Sequence, residues 1–273
     1  MNLLNDDLVL HFINHGSIIF RPRFPDGYHA RMQEELGKLK ANPGNYLLDE
    51  VPELNEVVKH PDVHCFLTSL LGPSYQLHPH RHFYHNPPGS NSQGWHVDAA
   101  TPDHMLRGLI LFYYPQDVDV RMGPTVLVPG SHFRDAPMDR LACYGNIRGQ
   151  KNYVGPAGTL AILHPDLWHA RSLNRSDKSR YMVKFMLTRP DEPTEPTWNH
   201  DPEKAPRQFL DNVREFVGPM RSFCSDYLAE WEWRRRLWNW MRGAPAQEPN
   251  GCKRLSTVVD DCIFFIVMFY HYI

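Results

Sequence analysis

Apolar positions in the first quarter of the chain recur at helical spacing. A first helix is expected over Asp6–Asn14, with Asn5 as its N-cap and Gly16 just past its end. "SIIFRP" (Ser17 to Pro22) follows as a short strand, and "FPDGYHARMQEELGKLK" reads as a helix with a turn at its front. In "HPDVHCFLTSLLG", Val63, Phe66, Leu67, Leu70 and Leu71 keep the helical period, with Pro61 near the start and Gly72 as the stop. From Tyr75 to about Pro190 the pattern changes. Short strand-like runs ("YQLHPHRHFYH", "GWHVD", "LRGLILFYYP", "TVLVPGSH", "GTLAILHP", "YMVKFMLTRP") alternate with Pro/Gly turns, and no long helical segment separates them. That spacing predicts an antiparallel sandwich or barrel rather than a doubly wound α/β sheet.

After the proline-rich "RPDEPTEPTWNHDPEKAP" the pattern turns helical again, in "PRQFLDNVREFVG" and "MRSFCSDYLAEWEWRRRLWNWMRG". The fold class expected is α+β, mainly β: a strand-rich core at about 75–190 with N- and C-terminal helical buttresses, in one domain spanning 1–243. Residues 244–273 form a linker, "GAPAQEPNGC", and an apolar tail, "CIFFIVMFYHYI". The tail is too short for an ordinary membrane span and is expected to be a poorly ordered extension.

Charge narrows the choice of partner. The net charge is −2, which gives no electrostatic reason to expect nucleic acid or an anionic membrane. Trp231, Trp233, Trp238 and Trp240, interrupted by Arg234, Arg235 and Arg236, are therefore read as an amphipathic helix. It is expected to pack its tryptophans on the sheet and leave its arginines to solvent. The five cysteines (65, 143, 224, 252 and 262) are scattered and lack a C-x-x-C pair, so neither a disulfide framework nor a cysteine-rich zinc site is expected. The opening MNLLNDDLVL carries acids where a secretory signal needs basic residues, and a cytoplasmic, reducing location is expected.

Histidine is the unusual residue. Six of the sixteen (78, 80, 82, 85, 96 and 104) lie within one short span. His78, His80 and His82 alternate, but Pro79 makes that strand irregular, so one or two are expected to line a cavity and the rest to be solvated. His96 and Asp98, in "GWHVDAATPDHM", are one spacer apart and in an extended chain reach one point together. Two histidines and a carboxylate on one face of a metal are the ligand set of mononuclear iron(II) sites. His169, after the strand "TLAIL" and the turn "HPD", is the best third ligand. Arg180 opens the next strand, where its guanidinium fork suits a carboxylate. Arg107 and Lys184 fall in strand-like segments and are expected on a solvated outward face. His132 is expected to hold a turn, and His164 to lie in the loop beside the site.

"GWHVD", "GPTVLVPGSH" (Gly123 to His132) and "AGTLAILHPDLWHARSLNRSDKSRYMVKF" (Ala157 to Phe185) together resemble the phytanoyl-CoA dioxygenase-like branch of the Fe(II)/2-oxoglutarate-dependent oxygenases. The resemblance covers about residues 1–243 and is sharpest from 94 to 188. It implies a double-stranded β-helix, or cupin-like jelly-roll, with His96, Asp98 and His169 as metal ligands and Arg180 as partner of the far carboxylate of 2-oxoglutarate. Gln93 and Thr125 would line the co-substrate pocket. Where relatives often carry a small polar residue, two positions after the distal histidine, this chain has Arg171. The implied cofactors are Fe(II), 2-oxoglutarate and O2, and the implied reaction is oxidation of a small organic substrate with release of succinate and CO2. Relatives that halogenate lack the carboxylate, so Asp98 favours hydroxylation. The rival readings are a zinc-dependent hydrolase using the same histidines and a non-catalytic binding module of the same fold. The expected assembly is a monomer or small homo-oligomer.

Overall fold

The computed structural model describes residues 3–99, 101, 103–135, 137–203 and 224–245. The predicted helix "PRQFLDNVREFVG" and nearly all of the tail from 244 onward lie outside the described residues. Helix α1 (Asp6–His15) begins and ends as its sequence dictates. The Asn5 side chain accepts from the Leu8 amide at 3.0 Å, and Gly16 closes the helix in the left-handed region, at φ 72°. A side chain at Gly16 is doubly excluded, because a Cβ there would come within 2.5 Å of Nδ1 of His132. Then come strand β1 (Ser17–Phe20), α2 (Tyr28–Lys38), the short helices α3 (Leu47–Glu50) and α4 (Asn55–Lys59), and α5 (Pro61–Leu71), with Pro61 in its first turn.

Eight further strands join β1 to build the core: β2 (Gln76–Asn86), β3 (Gln93–His96), β4 (Gly108–Tyr114), β5 (Thr125–Leu127), β6 (Lys151–Asn152), β7 (Thr159–Leu163), β8 (His169–Arg171) and β9 (Arg180–Thr188). They divide into a larger sheet, β1-β7-β4-β9-β2, and a smaller one, β3-β8-β5-β6, with every pairing antiparallel. The chain passes back and forth between the sheets, which is the jelly-roll winding.

Burial explains the strand composition. On β4, Leu109, Leu111 and Tyr113 face one way and join residues of α1, α2 and α5 in the main core. Ile110, Phe112 and Tyr114 face the other way, into the space between the sheets. A strand covered on both faces reads as an uninterrupted apolar run, and "LILFYY" is one. The outer face of the smaller sheet buries Trp95, Val126, Val128 and Ala170 with Leu141 of the short helix α6 (Met138–Leu141).

Helix α7 (Cys224–Met241) closes the other side of the main core. Leu237, Trp238 and Trp240 are buried there, and the Trp238 ring lies 5.4 Å from that of Trp198. Its arginines depart from expectation. Arg234 is buried, hydrogen-bonded to Glu230 at 3.2 Å and stacked over Phe133, while Arg235 and Arg236 pair with Glu232. The helix supplies its own carboxylates, so the guanidinium of Arg234 is buried as a paired charge. Asp6 ties the N-terminal helix to the far segment by accepting from Trp198 Nε1 at 2.6 Å and from the Asp201 amide at 2.9 Å. Among the described residues, no helix is long and apolar enough to cross a membrane, and Cys65 and Cys143 are free thiols.

His132 lies under this scaffold, its Nε2 donating to the Ile13 carbonyl at 3.0 Å, and its ring is 4.9 Å from that of His164. Nδ1 of His164 accepts from the Asp166 amide at 3.1 Å. Burial lowers both histidines, His164 to about 4, against the pull of Asp166. The unfolded chain binds these protons at an ordinary histidine value near 6.5 and the folded chain does not, so stability is intact above pH 6.5. It is lost progressively as pH falls from 6.5 to about 4, with on the order of 3 kcal/mol at stake for His164. Thermal stability is therefore expected to fall between pH 7 and 5, with a shallower slope in His164→Asn, which keeps the acceptor for Asp166 and cannot titrate. An unchanged slope would assign the acid sensitivity elsewhere.

Candidate active site

Antiparallel pairing of β3 with β8 places His96 directly opposite His169, and the next inward pair along is Gln93 opposite Arg171. β5 continues the row on the other side of β8, with Thr125 opposite Arg171. The two imidazoles lie with ring centroids 4.2 Å apart. After His96 the chain leaves the strand, and the Asp98 amide donates to the Pro165 carbonyl at 2.9 Å, which turns the carboxylate back toward the histidines. His96, Asp98 and His169 each offer one ligand atom, and these atoms lie within 4.8 Å of one another.

Hydrogen bonding decides which atoms are offered. Nδ1 of His96 faces the Gly94 carbonyl at 2.9 Å, and Nδ1 of His169 faces the Leu167 carbonyl at 2.9 Å. Both contacts require the proton on Nδ1 and leave the Nε2 lone pairs for a metal, the usual second contact of a ligating histidine. Nε2 of His169 stands 3.6 Å from Oδ2 of Asp98, too far for a hydrogen bond, and that buried oxygen has no partner. Burial lowers His96 to about 4, reinforced by His169. Burial works to raise Asp98, but the charges of His169, Lys184 and His96 outweigh it and hold the carboxyl at about 2. At neutral pH Asp98 is thus an anion and His96 a neutral imidazole donor, with Nε2 of His169 beside them, which suits a divalent cation.

Arg180 is 1% exposed, and its Nε and Nη1 have no hydrogen-bond partner. Its guanidinium carbon lies 5.6 Å from the centre of the Tyr114 ring. Burial lowers it, with Tyr114 acting against that. The Tyr114 hydroxyl is paired with Thr125 Oγ1 at 2.6 Å. Burying a guanidinium with bonding capacity unused costs several kcal/mol, which an incoming carboxylate would offset. A cavity joins this corner to the histidines, bordered by Gln93, Thr125, Arg171, Arg180 and Lys184 among others. The unpartnered carboxylate oxygen, the paired Nε2 atoms and the unpartnered guanidinium fit a divalent metal at one end and a dicarboxylate reaching from it to the other.

All six residues named from sequence, His96, Asp98, His169, Arg180, Gln93 and Thr125, gather at this cavity. Two expectations fail. Lys184 faces inward: it is 6% exposed, and its ammonium lies 3.1 Å from Oδ1 of Asp98. Arg180, Met182 and Lys184 alternate along β9 and share one face, so the inward assignment of Arg180 already implied that of Lys184. None of His78, His80 and His82 borders the cavity. The β2–β9 register shifts between Leu77 and Arg81, which breaks their alternation, and His82 lies instead against Tyr84 and Asn42. The cavity walls come from strands of both sheets. Arg107 is exposed and paired with Asp103 and Glu192.

Comparison with known proteins places these features in a family. A family model described as Phytanoyl-CoA dioxygenase matches residues 28–182, more than half of the chain, including His96, Asp98, His169 and Arg180. No curated protein matches the chain in sequence. Among solved structures, HygX from Streptomyces hygroscopicus with nickel and 2-oxoglutarate bound is 13% identical, with a TM-score of 0.57 over 68% of this chain and 87% of that one. The epimerase SnoN, in complex with Fe3+, alpha ketoglutarate and nogalamycin RO, is 16% identical, with a TM-score of 0.55 over 67% and 84%. EctD from S. alaskensis, in its apoform, is 16% identical, with a TM-score of 0.58 over 73% and 82%. At such identities the likeness is one of fold, and it agrees with the jelly-roll winding. By the span of the family match and the fold together, this chain belongs to the phytanoyl-CoA dioxygenase family.

Proposed function

We propose that this protein is an Fe(II)- and 2-oxoglutarate-dependent oxygenase that hydroxylates a small organic substrate. The observation that carries the reading is the pairing of two unlike demands in one cavity: a triad prepared for a divalent cation, and a buried guanidinium prepared for a carboxylate. HygX and SnoN, which share the fold, were crystallised with a metal and 2-oxoglutarate. SnoN is described as an epimerase, so hydroxylation is our choice among oxidative outcomes and rests on the presence of Asp98. A zinc hydrolase would leave Arg180 without a task.

His96 and His169 would hold the metal through Nε2 and Asp98 through Oδ2. Bound iron supplies the oxygen-activating chemistry, driven by conversion of 2-oxoglutarate to succinate and CO2. The chain's own part is to bind, orient and shield. Arg180, stacked on Tyr114, would hold the far carboxylate of the co-substrate by charge-assisted hydrogen bonds, with Thr125 and Gln93 beside it. Phe112 and Met182 provide an apolar wall that limits water. We assign residues 1–243 to this unit, a choice supported by the ties of Asp6 to Trp198 and Asp201.

Protein purified without oxygen and given Fe(II), 2-oxoglutarate and then O2 is expected to release succinate even without substrate. Asp98→Ala and His169→Ala should reduce release to background and abolish stoichiometric metal binding. Arg180→Ala should keep the metal but bind 2-oxoglutarate about tenfold to a hundredfold more weakly, the worth of a charge-assisted hydrogen bond of about 1.5–3 kcal/mol. Absence of succinate across a broad substrate screen, with zinc tightly retained, would overturn the assignment.

A further inference from the structure

Lys184 is buried between the sheets beside the triad. Its ammonium donates to Oδ1 of Asp98 at 3.1 Å, and the Tyr84 side chain borders the same cavity and interacts with the ammonium electrostatically. The carboxylate is thereby divided. Oδ1 is engaged by the lysine, and Oδ2, without a hydrogen-bond partner, is turned toward Nε2 of His169. A carboxylate can grip a divalent cation with one oxygen or two. The second mode would consume a position on the face that must stay open for a bidentate co-substrate and O2. An ammonium this close to the ligand also withdraws charge from it and repels the cation, in an interior where such effects are weakly screened.

We propose that Lys184 is a positioning residue that holds Asp98 to one-oxygen ligation and weakens metal binding so that the co-substrate face stays open. This rests on the oxygenase reading. The placement is built from both sheets: β9 carries Lys184, β2 carries Tyr84, and the turn after β3 carries Asp98. No part of it depends on Arg180, which serves the far end of the same cavity.

The test uses Co(II) as the metal probe. Its affinity is measured by chelator competition and its ligand field by visible absorption, with 2-oxoglutarate then titrated into the cobalt-loaded protein. Lys184→Met is expected to bind Co(II) about tenfold more tightly, to alter the cobalt spectrum, and to bind 2-oxoglutarate about tenfold more weakly. These changes are at the lower end of the range for groups behind a metal ligand. Lys184→Arg, which restores a cation against Oδ1, should return both affinities toward wild type. Cobalt affinity unchanged in Lys184→Met, or lowered together with the melting temperature, overturns the proposal. Should Lys184→Met fail to fold, Tyr84→Phe decides: tighter cobalt binding with a shifted spectrum supports the role, and wild-type behaviour overturns it. Wild-type protein that binds cobalt but no 2-oxoglutarate overturns the oxygenase reading alone, and the cobalt affinities still judge Lys184.

Discussion

Three charged side chains, Asp98, Lys184 and Arg180, lie between two apolar sheets, and charge in such a place must be paired or must await a partner. Much of the architecture follows from that constraint. The sheets separate far enough to leave a polar seam, and apolar residues such as Phe112 and Met182 insulate it. On the outside, α1, α2, α5 and α7 bury the other face of the larger sheet, which provides the apolar contact that offsets the polar interior. Asp98 and Lys184 neutralise each other, whereas Arg180 has only the face of Tyr114. The unbalanced guanidinium and the unpartnered oxygen of Asp98 mark the two ends of one site.

Much of this was legible in the chain before any coordinates. Asn5 and Gly16 announced both ends of the first helix, and Pro61 and Gly72 those of α5. The metal-ligand pattern was readable because His96 and Asp98 share a strand end, and because Arg180 follows His169 at a spacing the family resemblance supplied. The misreadings have a common physical source, in that each depends on what a residue faces across the fold. The general habit of lysine predicts a surface charge at Lys184, although its parity with Arg180 on one strand points inward. Pro79 marks the strand at His78 to His82 as irregular, but the register shift against β9 that keeps all three off the cavity is not local. The amphipathic pattern leaves Arg234 to solvent, because only its Glu230 partner, four residues back, is local, and Phe133 encloses it from across the fold.

The row Gln93–Arg171–Thr125 extends the site away from the metal position, and Arg171 there is the feature by which this chain departs from the common family pattern. Its place beside Arg180 gives the cavity a positive far end, while the histidine end is neutralised by Asp98. Fold alone does not choose a substrate; the side chains around the open face do.

The central claim is that one cavity holds Fe(II) and 2-oxoglutarate together, in contact. Its most direct measurement is the visible spectrum of the protein with Fe(II) under anaerobic conditions as 2-oxoglutarate is added. A weak charge-transfer band that grows to saturation at one co-substrate per chain, and that is weaker in Arg180→Ala at the same concentration, is the predicted result. No band in wild-type protein that has bound one Fe(II) per chain would contradict the claim.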